Sequence, residues 1–195
     1  MMQPTRRGST FDDFWAIPEQ DRFHELIAGE IVRKAAPSGE HDGSQGGILI
    51  SLGAPFQRAS GGRGGPGGWW FGPEVEILLG LDVVRPDIAG WRRDRCPERP
   101  AGMPVKQRPD WVCEVVSPGN ARHDTVTKRQ LYHRAAIPHY WLIDPLEASL
   151  VVMRATPDGY ATVLQARRGE LVRAEPFEQI ELTVGVLLGD DPPEP

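Results

Sequence analysis

A chain of 195 residues is long enough for one domain of ordinary size around a single core. Its 39% hydrophobic and 25% charged residues are those of a folded water-soluble domain, not a disordered chain, and no apolar run approaches the roughly 20 residues that span a bilayer. The net charge of −5 argues against an even electrostatic grip on nucleic acid, and two cysteines, Cys96 and Cys113, argue against a disulfide framework and for a reducing cytoplasm.

The N-terminal Met1-Met2-Gln3-Pro4-Thr5-Arg6-Arg7 leads into no apolar stretch and does not read as a signal peptide. Thr10 is placed to cap a short helix beginning Phe11-Asp12-Asp13-Phe14-Trp15, which Pro18 bounds. Two β-type runs, 22–27 and 30–34, flank Ala28-Gly29 and predict a hairpin. Pro37-Ser38-Gly39 reads as a loop. From 41 to 58, Ile48, Leu49, Leu52 and Phe56 recur at helical spacing, while Gly46, Gly47 and Gly53 weigh against a helix and Pro55 enters as a late kink. The glycine-rich run 61–68 has no GK(S/T) ending and reads as a flexible linker, not a phosphate-binding loop.

Three β-rich segments follow, 74–79, 83–91 and 111–116, with a Pro/Arg-rich excursion over 94–108. Residues 124–134 lack Gly and Pro and predict a helix. The aromatic and aliphatic run 139–144 predicts a strand, and 149–154 with 159–164 a hairpin across Pro157-Asp158-Gly159. Later strands are expected near Leu171 and over 180–184. Neither an internal repeat nor a second core is visible, so the chain reads as one α/β domain over 10–187. A flexible N-terminus (1–9) precedes it and a disordered tail (188–195) follows.

Charge is unevenly spread. From Arg85 to Arg134, eleven Lys/Arg outnumber six Asp/Glu by five, and the remainder of the chain is ten negative. The basic stretch is either a solvated loop around Arg92-Arg93-Asp94-Arg95 or a phosphate-facing surface, with Arg85, Arg92, Arg93, Arg122 and Arg129 as its candidate contacts.

Chemistry concentrates at three residues. Glu114 interrupts the apolar run Trp111-Val112-Cys113-Glu114-Val115-Val116, where a buried carboxylate costs several kcal/mol unless paired or metal-bound. Asp87 lies in the neighbouring β-type segment, and two such strands side by side would bring both acids together. Like charges at close range need a cation, and hard carboxylate oxygens suit Mg²⁺ or Mn²⁺. Alternatively, Glu114 pairs with an arginine in the core or marks an exposed strand face. Asp124, Lys128 and Tyr132, spaced four apart, share one helical face. Lys128 is there either to stabilise charge on an attacked phosphate or to form a plain surface pair with Asp124.

Four ordered blocks carry a resemblance: Val84-Arg85-Pro86-Asp87-Ile88-Ala89, then 109–118, then Asp124-x-x-x-Lys128-x-x-x-Tyr132, then 137–145, preceded by Phe23-His24-Glu25-Leu26-Ile27-Ala28-Gly29-Glu30 and His41. Over roughly residues 10 to 185 the chain resembles the Uma family, bacterial proteins described as restriction endonucleases. The resemblance implies the PD-(D/E)XK nuclease-like, restriction-endonuclease-like fold: a central mixed β-sheet flanked by helices, with an N-terminal hairpin and C-terminal strands. It makes Asp87 and Glu114 the catalytic acids and, with the Val115 backbone carbonyl, the holders of Mg²⁺ or Mn²⁺. Val116 stands where many members of that fold carry lysine, and the resemblance moves that role to Lys128. Glu30, His41, Asp124 and Tyr132 become supporting positions. The implied partner is nucleic acid, in particular DNA, with a homodimer where both strands are cut. The other reading is a nucleic-acid-binding or regulatory domain with a catalytically weak centre on the same fold.

Overall fold

Thr10 and Asp13 exchange hydrogen bonds, side chain to amide in both directions, so α1 (Phe11–Trp15) begins in a reciprocal cap. It is the first element of a computed structural model in which residues 8–34, 36–117 and 123–192 are described. Ala28 and Gly29 both take left-handed φ, 52° and 77°, as the two central residues of a type I′ turn must. The turn sets Ile27 opposite Glu30 and builds the expected hairpin from β1 (His24–Ile27) and β2 (Glu30–Arg33). The Ser9 amide donates to the Gly29 carbonyl at 2.7 Å, tying this end of the N-terminus to the turn.

The predicted helix is α2 (Gly39–Phe56), starting within the expected loop because the Ser38 side chain caps it on the His41 amide. Its glycines are explained by packing. A Cβ on Gly47 would stand 1.9 Å from the Val186 carbonyl oxygen, so glycine lets α2 approach α4 (Val184–Leu187) closely. Gly47→Ala is therefore expected to cost about 1–3 kcal/mol through overpacking, measured as a lowered Tm. An unchanged Tm would show that α4 yields. Within the glycine-rich run, Gly67 donates to the Pro55 carbonyl and Gly68 to that of Arg58, so the end of the run is bound to α2 and is not a free linker.

One expected strand shortens and another divides. Segment 74–79 holds only β4 (Ile77–Leu79), after β3 (Trp69–Pro73) has ended at Glu74 with φ 52°. Segment 83–91 splits into β5 (Asp82–Val84) and β6 (Ile88–Arg92), which belong to different sheets. Pro86, which has no N–H to donate to a ladder, lies at that break.

The small antiparallel sheet runs β2-β1-β5-β4. The central sheet adds β7 (Trp111–Val115), β8 (His139–Asp144), β9 (Ser149–Thr156) and β10 (Gly159–Arg167) in the order β10-β9-β8-β7-β6-β3. Strands β7 and β8 pair in parallel and the others antiparallel, so the sheet is mixed. One face, with Ile88, Trp111, Cys113 and Val115, packs with Ile48, Leu52 and Phe56 of α2. The opposite face, with Ala89, Val112 and Tyr140, packs with Leu131 and Tyr132 of α3 (Arg129–Arg134). Phe177 fills the first core with its ring 4.9–5.7 Å from those of Phe56, Trp69, Phe71, Trp111 and Trp141.

The C-terminal strands are short, β11 (Leu171–Val172) and β12 (Leu182–Thr183). Leu188 is buried and the Asp190 amide donates to the Gly185 carbonyl at 2.9 Å, so the expected disordered tail is packed at its start. Both cysteines are free and buried. Among the described residues, no helix is long and apolar enough to cross a membrane.

Candidate active site

Register places the two acids. Strands β6 and β7 set Ile88 opposite Cys113 and Ala89 opposite Val112. The ladder stops there, and continuing its register by one step would set Asp87, just before β6, against Glu114, which reaches the α3 side through Tyr132. The Val115 amide donates to Asp87 Oδ2 at 2.6 Å, so the side chain continues the pairing that the backbone has left. The Asp87 carbonyl accepts from Gln45 of α2 at 2.8 Å and from the Glu74 amide at 3.2 Å.

Glu114 is 1% exposed. Its Oε1 accepts from Lys128 Nζ at 3.1 Å and from the Tyr132 hydroxyl at 2.5 Å. Lys128, 2% exposed, also meets Glu25 Oε1 at 3.1 Å, and that oxygen accepts the Arg85 amide at 2.8 Å. The lysine is thus enclosed between two buried glutamates. Its segment, His123–Lys128, is a π-type helical turn that passes into α3, a local widening often found at functional sites. Lys128 and Tyr132 keep their four-residue spacing into α3, and both reach Glu114.

A second cation lies at Asp87. Lys34 Nζ is 2.7 Å from Asp87 Oδ1 and 2.8 Å from both carboxylate oxygens of Glu74. His41 Nε2 is 3.1 Å from Asp87 Oδ2. Burial opposes charge on Asp87, but the His41 hydrogen bond and the charges of Lys34, His41 and Lys128 outweigh it and hold its carboxyl below the usual carboxylate range. The Asp87 bond raises the pKa of His41 against burial. For Lys34 burial also opposes charge, and Asp87, Glu114 and Glu74 overcome it, raising the pKa. Burial, then the charge of Glu114, pushes Tyr132 well above its ordinary value, so its hydroxyl stays a donor. That Lys34 feels Glu114 and Asp87 feels Lys128 makes this one electrostatic unit.

Asp87, Glu114, Lys128, His41 and Tyr132 therefore come together. Glu30 does not join them: it is exposed beside the hairpin turn, and Glu25 of the partner strand supplies the acid instead. Glu25, Lys34, Glu74 and Gln45 are additions that the sequence reading missed. The Asp124 side chain and Arg122 lie outside the described residues. The basic candidates are dispersed. Arg92 pairs with Asp94 and Arg93 stacks 3.4 Å from the centre of the Trp70 ring, both at the far end of β6 from Asp87. Arg129 donates to the Tyr160 carbonyl and borders a separate groove. Arg85 alone of these borders the cleft that opens beside Lys34 and His41.

The donor set suits a hard divalent cation. Asp87, Glu114 and the Val115 carbonyl offer oxygen ligands, and Mg²⁺ commonly takes one or two carboxylates and completes its shell with water and substrate phosphate. Among the described residues, no group of three or more His, Cys, Asp or Glu side chains is placed to hold a metal ion by itself.

A family model described as "Putative restriction endonuclease", Uma2, matches residues 11–185. Among solved structures, a protein from Anabaena variabilis titled a putative nuclease of DUF820 superposes with a TM-score of 0.68 at 24% identity, covering 92% of this chain and 97% of that one. No curated protein matches. The mixed sheet, with α2 on one face and α3 on the other, is thus a restriction-endonuclease-like fold, and a match running from α1 to α4 shows that the chain belongs to the Uma2 family.

Proposed function

We propose that the protein is a metal-dependent endonuclease that hydrolyses phosphodiester bonds in DNA. The observation that carries this reading is that Asp87 and Glu114, both buried, adjoin the same end of the β6–β7 ladder, where the Val115 amide donates to Asp87. Asp87, Glu114 and the Val115 carbonyl would hold Mg²⁺ or Mn²⁺, which lowers the pKa of a bound water and polarises the phosphate. The chain's own groups prepare that site. Lys34 and His41 keep Asp87 ionised and oriented. Tyr132 and Lys128 fix Glu114, and Lys128 supplies the positive charge that Val116 does not. In the reaction the water gives a proton to solvent as its oxygen bonds to phosphorus, the bond to the 3′ oxygen breaks, and the leaving oxygen takes a proton from solvent. DNA as substrate follows from the family's description, which is analogy.

A second reading, a nucleic-acid-binding domain that does not cleave, is favoured by one observation. The Asp87 carboxylate already meets Lys34, His41 and the Val115 amide. Incubating purified protein with plasmid, single-stranded DNA and RNA, each with Mg²⁺ or Mn²⁺, separates the two. The endonuclease reading expects metal-dependent cleavage that Glu114→Gln reduces by about a hundredfold or more. Equal cleavage by wild type and variant would place the activity elsewhere. Binding without cleavage of any substrate would favour the second reading.

A further inference from the structure

The cleft beside Lys34 and His41 has a feature that hydrolysis alone does not use. It measures about 380 Å³ and is bordered by Phe23, Lys34, His41, Gln45, Glu74 and Arg85. Phe23 is 56% exposed, a large apolar ring left in water at the mouth of a charged site. The Lys34 amide donates to the Phe23 carbonyl at 2.8 Å, which extends the β1–β2 register by one pair. Phe23 and Lys34 are therefore cross-strand neighbours on one face of the hairpin, their Cβ atoms about 5 Å apart. The Lys34 amine reaches Asp87, and Phe23 borders the same cleft as Lys34.

Two further features suit an anionic ligand with a flat ring. The Arg85 guanidinium carbon lies 5.6 Å from the centre of the Phe23 ring. Arg85 Nε and His41 Nδ1, both buried, have no hydrogen-bond partner among the described residues. A phosphate entering the cleft would meet the side chains of Lys34 and Arg85 that border it, and the base attached to it would find the Phe23 ring.

We propose that this cleft is a subsite for an unpaired nucleotide adjoining the scissile phosphate, with its base stacked on Phe23 and its phosphate against Lys34 and Arg85. The inference rests on the endonuclease reading and deepens it by naming the form of the substrate. A base inside a duplex already has both faces covered, so an aromatic side chain presented singly recognises a base that is single-stranded, frayed or flipped out. The enzyme so built prefers single strands, flaps and ends over uninterrupted duplex.

The test uses full-length protein with Ca²⁺ in place of Mg²⁺, a short single strand carrying 2-aminopurine, and the matched duplex. Wild type is expected to bind the single strand more tightly and to change the 2-aminopurine fluorescence as the base stacks. Phe23→Ala should weaken single-strand binding by about tenfold and abolish that change, Phe23→Trp should retain both, and duplex binding should move little. Wild-type-like binding by Phe23→Ala, equal loss for single strand and duplex, or no single-strand binding by wild type would each overturn the subsite. The two readings fail separately. Phe23-dependent stacking without metal-dependent cleavage sinks the endonuclease and keeps the subsite. Glu114-dependent cleavage that is indifferent to Phe23 does the reverse.

Discussion

Replacing Lys128 with methionine is expected to destabilise the metal-free protein by about 3–5 kcal/mol, which for a chain of this length lowers Tm by roughly 6–20 °C. Methionine keeps most of the stem and its packing but removes the ammonium. Glu25 and Glu114 then lose the cation they share, with both carboxylates almost wholly out of water. Glu25 keeps the Arg85 amide and Glu114 keeps the Tyr132 hydroxyl, so neither is stripped of every partner. What is lost is charge compensation, which at this depth is worth far more than at a surface. Adding Glu25→Gln and Glu114→Gln to Lys128→Met should restore most of the loss, because the triple variant buries amides instead of unpaired charges. Thermal unfolding of the three proteins decides the matter. A Lys128→Met protein as stable as wild type would mean that the buried cation does not hold the acids. A loss that the glutamines fail to repair would point to packing.

The same ion pairs explain what was legible in the sequence. Glu114 is conspicuous because it is the single acid in the run 111–116, whose other five residues are apolar, and burial there leaves few physical options. Lys128 and Tyr132 were legible through helical spacing, which survives the passage from the π-type turn into α3. Glu25 and Lys34 were not, because a charged residue in a short hairpin looks like any solvated strand position. The register held the missing signal. A two-residue turn at Ala28-Gly29 pairs 27 with 30, and stepping back pairs 23 with 34, so Phe23, Glu25 and Lys34 fall on one face. Glu30, opposite Ile27, shares that face but is exposed beside the turn.

Strand 83–91 was misread for a different reason. Its β-branched and apolar residues satisfy the pattern on both sides of Pro86, and local preference does not tell one strand from two that enter different sheets. The break is what frees Asp87 from the ladder and lets its side chain receive the Val115 amide. The glycines of α2 misled in the opposite sense. They lower helix propensity, yet Gly47 is where α4 comes closest, and such a contact across more than a hundred residues cannot be read locally.

Asp87→Asn tests whether this unit performs the chemistry. Asparagine fills the same volume, and its carbonyl oxygen can still accept the Val115 amide, so the end of the ladder should hold. It brings no negative charge for Lys34, His41 or a metal ion. Losing one carboxylate ligand is expected to cost several kcal/mol of transition-state stabilisation, or a fall in cleavage of about a thousandfold. A second readout separates chemistry from unfolding. In metal-free wild type the Asp87 carboxyl is held below its ordinary range. The stability it contributes is therefore present above the unfolded-chain value near pH 4 and declines as pH falls below it. Asp87→Asn should start less stable at pH 7 and lack that part of the acid decline, so the two stability curves converge toward low pH. Parallel curves would mean that Asp87 is not the charged, multiply bonded group described above. Unchanged cleavage in a folded Asp87→Asn protein would remove the acid pair from the mechanism, however well Glu114 and Lys128 are held.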